Sequence, residues 1–232
     1  MPFYFYYDPT YILVLIGVVI SLWASAKVNS TYQKYSKVRS YSGLTGAEAA
    51  RRILNSAGIY DVTVEHVRGN LTDHYDPRAR VLRLSDSVYG SASVAAIGVA
   101  AHECGHAIQD EESYAPLRIR SALVPVANFG TKAAIPIIIL GLFFGSSYTL
   151  IQIGLLCFAL GTLFQIVTLP VEFNASARAV RILGDSHMLM EEELQQTRKV
   201  LSAAALTYVA AALASVLSLL RLFLLFGGRD RD

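Results

Sequence analysis

From Ala133 to Val171 the chain carries no charged residue, a run of 39 positions. As one α-helix this run would extend about 58 Å at 1.5 Å per residue. That is about twice the hydrocarbon thickness of a bilayer. Gly145-Ser146-Ser147 near its middle predicts a tight turn, and hence two membrane spans. The first span is expected to begin near Ala122 and must take in Lys132, which is expected to face the protein interior. Two further uncharged runs, Tyr11–Ala26 and Val200–Leu220, bring the expected number of spans to four. Composition agrees: 53% of residues are apolar and the mean hydropathy is +0.42, where soluble domains hold about 45–50% apolar residues.

The first run follows an aromatic stretch, Phe3-Tyr4-Phe5-Tyr6-Tyr7, and no Lys or Arg precedes Lys27. The basic n-region of a signal peptide is missing, so the segment is expected to stay as a span with an aromatic belt. Four spans put residues 27–120 and 172–199 on one side, with 16 of the 20 Lys and Arg residues. The other side has only Arg229 and Arg231. An excess of basic residues marks the cytoplasmic side, so both termini are expected outside. The expected location is an integral membrane position, in a bacterial plasma membrane. The net charge of +2 gives no argument for a nucleic-acid partner. Cys104 and Cys157 lie in different kinds of segment, which argues against a disulfide and for a reducing compartment.

The polar part reads as a small α+β unit. Thr45-Gly46-Ala47-Glu48 fits a capping box opening a helix that Gly58 would stop. Val62–His66 alternates as a strand does, and Leu71–Tyr75, Asp76-Pro77-Arg78 and Val81–Leu84 read as strand, turn and strand. An Ala-rich helix should follow, from about Ser93 to Glu112. The predicted organisation is an N-terminal transmembrane helix (1–26), a soluble catalytic unit with the metal helix (27–120), a transmembrane hairpin (121–171), a third-ligand helix with connector (172–199), and a C-terminal transmembrane helix (200–226). The fold class is thus α+β: a mainly helical membrane protein with a small zincin-like unit.

His102-Glu103-Cys104-Gly105-His106 carries the chemistry. Residues four apart on a helix share a face, with Cβ atoms about 5–6 Å apart. Two imidazoles so placed can both reach one Zn²⁺. Glu103 stands beside the first and can take a proton from water activated by the metal. With five His in the chain, this spacing with Glu between is improbable by accident. Cys104 points away from both imidazoles and reads as a small buried residue. A catalytic zinc needs a third protein ligand. His66, His74, Asp110, Asp185, His187 and Glu172 are the candidates, and topology favours Glu172, with His187 next. Glu172 is the first charge after the long apolar run, so it emerges at the membrane face, at the expected start of a new helix.

The chain here resembles the YugP-like membrane zinc metallopeptidases. The resemblance rests on the His102–His106 motif, a membrane hairpin and Glu172-Phe173-Asn174-Ala175-Ser176. It extends to Asp73-His74-Tyr75-Asp76-Pro77 and to Ala203-Ala204-Ala205-Leu206-Thr207-Tyr208-Val209-Ala210. The plan is also similar to the HtpX/Ste24 peptidases, which are gluzincins. That likeness implies one zinc per chain, held by His102, His106 and Glu172. In those relatives an Asp stands where this chain has Ser176, and it orients a ligand His; Ser176 could do so only through its hydroxyl.

The expected activity is a membrane-bound zinc-dependent endopeptidase acting on a peptide or membrane-protein substrate, with Glu103 as general base. Arg178, Arg181, His187 and Tyr208 are candidates to stabilise the oxyanion. Val81, Leu82, Arg83 and Leu84 are the candidate edge strand to pair with substrate, as zincins use. An intramembrane protease is a weaker fit, because Asp110, Glu111 and Glu112 follow the motif directly. A non-catalytic membrane metal-binding or scaffold protein is the alternative, and it would have no use for Glu103.

Overall fold

The computed structural model describes residues 8–145 and 147–227. The aromatic run Phe3–Tyr7, Ser146, Arg229 and Arg231 lie outside the described residues. The element order is α1 (Tyr11–Tyr35), α2 (Gly46–Ser56), β1 (Thr63–Val67), β2 (His74–Asp76), β3 (Val81–Ser85), α3 (Val94–Glu111), α4 (Ala115–Phe143), α5 (Tyr148–Asp185) and α6 (Glu191–Phe226). The chain divides into two compact units. A helical unit takes Met1–Ala24, Arg120–Val167 and Tyr208–Asp232; an α+β unit takes Ser25–Ile119 and Thr168–Thr207.

Among the described residues, four helices are long and apolar enough to cross a membrane: α1, α4, α5 and α6. The uncharged runs Tyr11–Ala26 and Val200–Leu220 lie inside α1 and α6, and Ala133–Val171 is divided between α4 and α5. Within the helical unit, small residues let backbones approach, as in other membrane bundles. A Cβ on Gly154 would stand 2.9 Å from the carbonyl oxygen of Ala134. Large apolar side chains such as Leu15, Trp23, Phe129 and Phe143 are exposed on the helix surfaces, as a lipid-facing shell requires. Lys132 is exposed rather than turned inward. The reason is helical phase: Gly130 and Ala134 are buried, and a residue two positions from each lies about 200° round the helix from both.

The α+β unit forms as its sequence signals suggest. The capping box at Thr45 is present: its hydroxyl accepts from Glu48 N while Glu48 returns to the Thr45 backbone. Gly58 follows α2 at φ +75°, where glycine alone has no Cβ penalty. Ser93 caps α3 by accepting from Ala96 N. The sheet has the order β1-β3-β2, with β1 parallel and β2 antiparallel to β3. Ile53, Leu54, Leu82, Leu84, Val88, Ile97 and Leu183 are fully buried in its core. Burial of each such side chain contributes about 1.5–3 kcal/mol.

Two expectations are corrected. Val81, Leu82, Arg83 and Leu84 do not form an edge strand. They belong to β3, the central strand, paired on both sides, Val64 opposite Leu82 and Tyr75 opposite Leu82. The apolar pattern of Val81–Leu84 reflects this central burial, and the edges fall to β1 and β2. Glu172 does not start a helix. It lies deep within α5, which runs without a break through Pro170. Membrane helices tolerate such a proline where neighbours or local adjustment satisfy the freed backbone group.

Candidate metal centre

On α3, His102, His106 and Gln109 recur at spacings of four and three, so they share one helix face. On α5, Glu172 and Ser176 are likewise four apart. Gly105 lets the two helices meet. A Cβ there would lie 2.7 Å from the carbonyl oxygen of Ala175, closer than real Cβ contacts allow, so a larger residue would push α5 away.

The helices bring His102, His106 and Glu172 together, with one ligand atom from each within 4.8 Å of the others. Glu172 Oε2 is 3.2 Å from His102 Nε2 and 3.6 Å from His106 Nε2. All three side chains are largely buried, Glu172 to 3% exposure. The rings of the two histidines stand nearly perpendicular, 86° apart.

The opposite nitrogen of each ring is also occupied. Ser176 Oγ stands 3.1 Å from His102 Nδ1. Gln109 Oε1 is 3.0 Å from His106 Nδ1. Gln109 Oε1 can only accept, so His106 carries its proton on Nδ1 and, when neutral, turns its Nε2 lone pair toward Glu172. Ser176 can accept from His102 Nδ1 in the same way, and one metal ion would then meet two lone pairs and a carboxylate oxygen. A His₂Glu donor set is one that catalytic zinc uses. Ligands about 2.0–2.1 Å from a tetrahedral zinc stand about 3.3–3.4 Å apart, and the two His–Glu separations bracket that value. The residues present therefore fit one zinc ion.

Gln109 and Asn174 were not singled out by sequence reasoning. Gln109 Nε2 donates to Val171 O and to Asn174 Oδ1, both at 2.9 Å. Asn174 Oδ1 also accepts from Arg178 Nε at 2.7 Å, and Arg178 pairs with Glu112 at 2.6 Å. This hydrogen bond holds the Glu112 carboxyl below the usual range. The available signal was positional: Gln109 is a polar residue on the histidine face of an Ala-rich helix, and it is fully buried.

Glu103 is buried, and its Oε2 accepts from the backbone N–H of Tyr75, at 3.1 Å. That N–H is free to do so because β2 is an edge strand. Tyr75 itself donates its hydroxyl to Asp110 at 2.9 Å, and burial pushes its phenol well above the usual range. Burial likewise raises the Cys104 thiol far above the usual range. Cys104 and Cys157 are both free.

The other candidates lie elsewhere. His66 pairs with Asp86 at 2.6 Å, His74 Nδ1 bonds Thr72 O, and Asp110 meets Tyr75 and Arg80. Arg181 pairs with Asp185 at the surface. His187 lies in the turn after α5 at φ +51°, outside the cluster. Tyr208 belongs to the helical unit. Arg178 is near the site but committed to Asn174 and Glu112.

Comparison with known proteins agrees with this geometry. No solved structure gives a significant match. The chain is 51% identical, over 95% of its length and 98% of the other's, to the "Putative membrane protease YugP" of Bacillus subtilis (strain 168). Residues 10–227 match the family described as "Putative neutral zinc metallopeptidase", and the chain belongs to that family.

Proposed function

We propose that this chain is a membrane-anchored, zinc-dependent endopeptidase. Its metal ligands are His102, His106 and Glu172, and its general base is Glu103. The observation that carries the reading is the convergence of two Nε2 atoms on Glu172 Oε2 with a buried glutamate next to the first histidine. Zinc held by these three residues would polarise a substrate carbonyl and lower the pKa of a water to about 7.

The chain's own residues do the rest. Glu103 takes a proton from that water and passes it to the leaving amine. The hydrogen bond from Tyr75 N–H fixes one of its oxygens; the other takes no hydrogen bond among the described residues and is free to accept. Ser176 and Gln109 keep the imidazoles turned toward Glu172. Pairing with an extended peptide or membrane-protein segment would fall to an edge strand, β1 or β2, and not to the central β3. The charge asymmetry of the sequence supports an active site on the cytoplasmic face.

Glu103→Gln tests the assignment. Gln is nearly isosteric, and it cannot take a proton at neutral pH. General-base assistance contributes about 10²–10⁴ in rate. Digestion of casein by the full-length protein should fall by at least the lower figure, with zinc content near normal by metal analysis. Full activity with zinc bound would refute the general base. A metal-binding scaffold predicts no digestion by either protein.

A further inference from the structure

The α+β unit has a second concavity, a groove of about 630 Å³ between α1 and α6. It shares no residue with the metal cluster. Lys27 and Lys34 from α1 and Arg198 and Lys199 from α6 line it. All four side chains are exposed, and none makes an ion pair among the described residues. No carboxylate lines the groove. Of the acids in the first turn of α6, Glu193 holds the N–H groups of Tyr41 and Met190, Glu191 accepts from Gln195, and the exposed Glu192 does not line the groove. Four like charges in one groove are unfavourable unless an anion joins them.

The groove is polar at one end and apolar at the other. Thr31 and Ser202 offer hydroxyl donors among the cations, while Ser30 donates its own to Lys27 O. Ala203 and Leu206 also line it, and both already belong to the uncharged run Val200–Leu220. Lys27 is the first charge after Tyr11–Ala26, and Lys199 the last before Val200. In both helices, then, the groove marks the point where the charged chain gives way to an apolar one. A free phosphate would satisfy the cations and leave the apolar end unused. An amphiphile with an anionic head matches both ends, and basic pockets between membrane helices are suited to such heads.

We propose that this groove binds the phosphate headgroup of an anionic phospholipid, with the cations on the phosphate and the first acyl carbons along Ala203 and Leu206. The site is independent of the peptidase reading.

The test uses full-length protein in nanodiscs of mixed phosphatidylglycerol and phosphatidylcholine, released and examined by native mass spectrometry. The wild type should retain phosphatidylglycerol over phosphatidylcholine by about tenfold or more. Lys34→Gln with Arg198→Gln should bring the two lipids to near parity, with the unfolding temperature unchanged because both side chains are exposed. Lys34→Arg with Arg198→Lys should keep the preference, and so should Arg51→Gln with Arg52→Gln on α2. Equal retention of both lipids by the wild type would overturn the proposal. So would an equal loss in the α2 variant, or full displacement of phosphatidylglycerol by inorganic phosphate at matched concentration.

Discussion

The side-chain oxygen of Gln109 receives the Nδ1–H of His106 across 3.0 Å. The amide cannot be turned round. Its nitrogen has two acceptors to serve, Val171 O and Asn174 Oδ1, and Asn174 is fixed in turn by Arg178 Nε. The tautomer of His106 is therefore set by residues of α5, the helix that also brings Glu172. One helix supplies a candidate ligand and orients another.

Replacing Gln109 by Leu keeps bulk and removes this device. A group that orients a metal-bound histidine is worth about 10–100-fold in metal affinity. The expected outcome is a zinc dissociation constant raised by that factor, read by competition with a chromophoric chelator. Stability should also fall by about 1–3 kcal/mol, because the partners on Val171 and Asn174 are left unsatisfied. Unchanged affinity would show that His106 needs no help to present Nε2.

Glu172→Ala should lower zinc content strongly, since one of three protein ligands is gone. His187→Ala should leave it near normal, since His187 lies in a turn outside the cluster. Metal analysis of both purified variants decides the matter. The reverse result would move the third ligand to His187.

Much of this was legible in the sequence, and the residues explain why. The capping box at Thr45 and the spacing of His102 and His106 are local rules, satisfied by one turn of helix. Uncharged runs report the membrane directly. What the sequence hid was pairing. Val81–Leu84 has an edge strand's length and a buried strand's composition, and only the register with Thr63–Val67 and His74–Asp76 shows it as central. Glu172 looked like a helix start because charge resumes there, but α5 continues through Pro170 and past it. Gln109 and Asn174 escaped because each is an ordinary polar residue until the other helix is beside it. Ser176, a departure from the Asp of similar peptidases, still reaches His102 Nδ1.

Gly105→Ala tests the close approach of α3 and α5. The added methyl would stand 2.7 Å from Ala175 O and 3.1 Å from Ala175 Cα, both backbone atoms that cannot rotate away. Overpacking of this kind costs about 1–3 kcal/mol. The unfolding temperature should drop, and zinc affinity should fall with it, because Ala175 lies between Glu172 and Ser176 on the same helix. A variant with normal zinc affinity and stability would show that α5 can shift without disturbing the ligands.

The last expectation concerns sidedness. Residues 27–120 and 172–199 hold 16 of the 20 Lys and Arg residues, and the side with more basic residues stays in the cytoplasm. Ser36 lies just after α1, and Ser147 lies between α4 and α5; in a four-span arrangement one crossing, α4, stands between them. Cys157 is removed by substitution with Ala, and Cys104 is buried, with a thiol that burial holds protonated, so background labelling should be low. In intact cells a membrane-impermeant maleimide should label Ser147→Cys and leave Ser36→Cys untouched until the membrane is opened. Labelling of Ser36→Cys alone from outside would invert the protein and put the metal site on the exterior. Equal labelling of both from outside would refute the four-span arrangement itself.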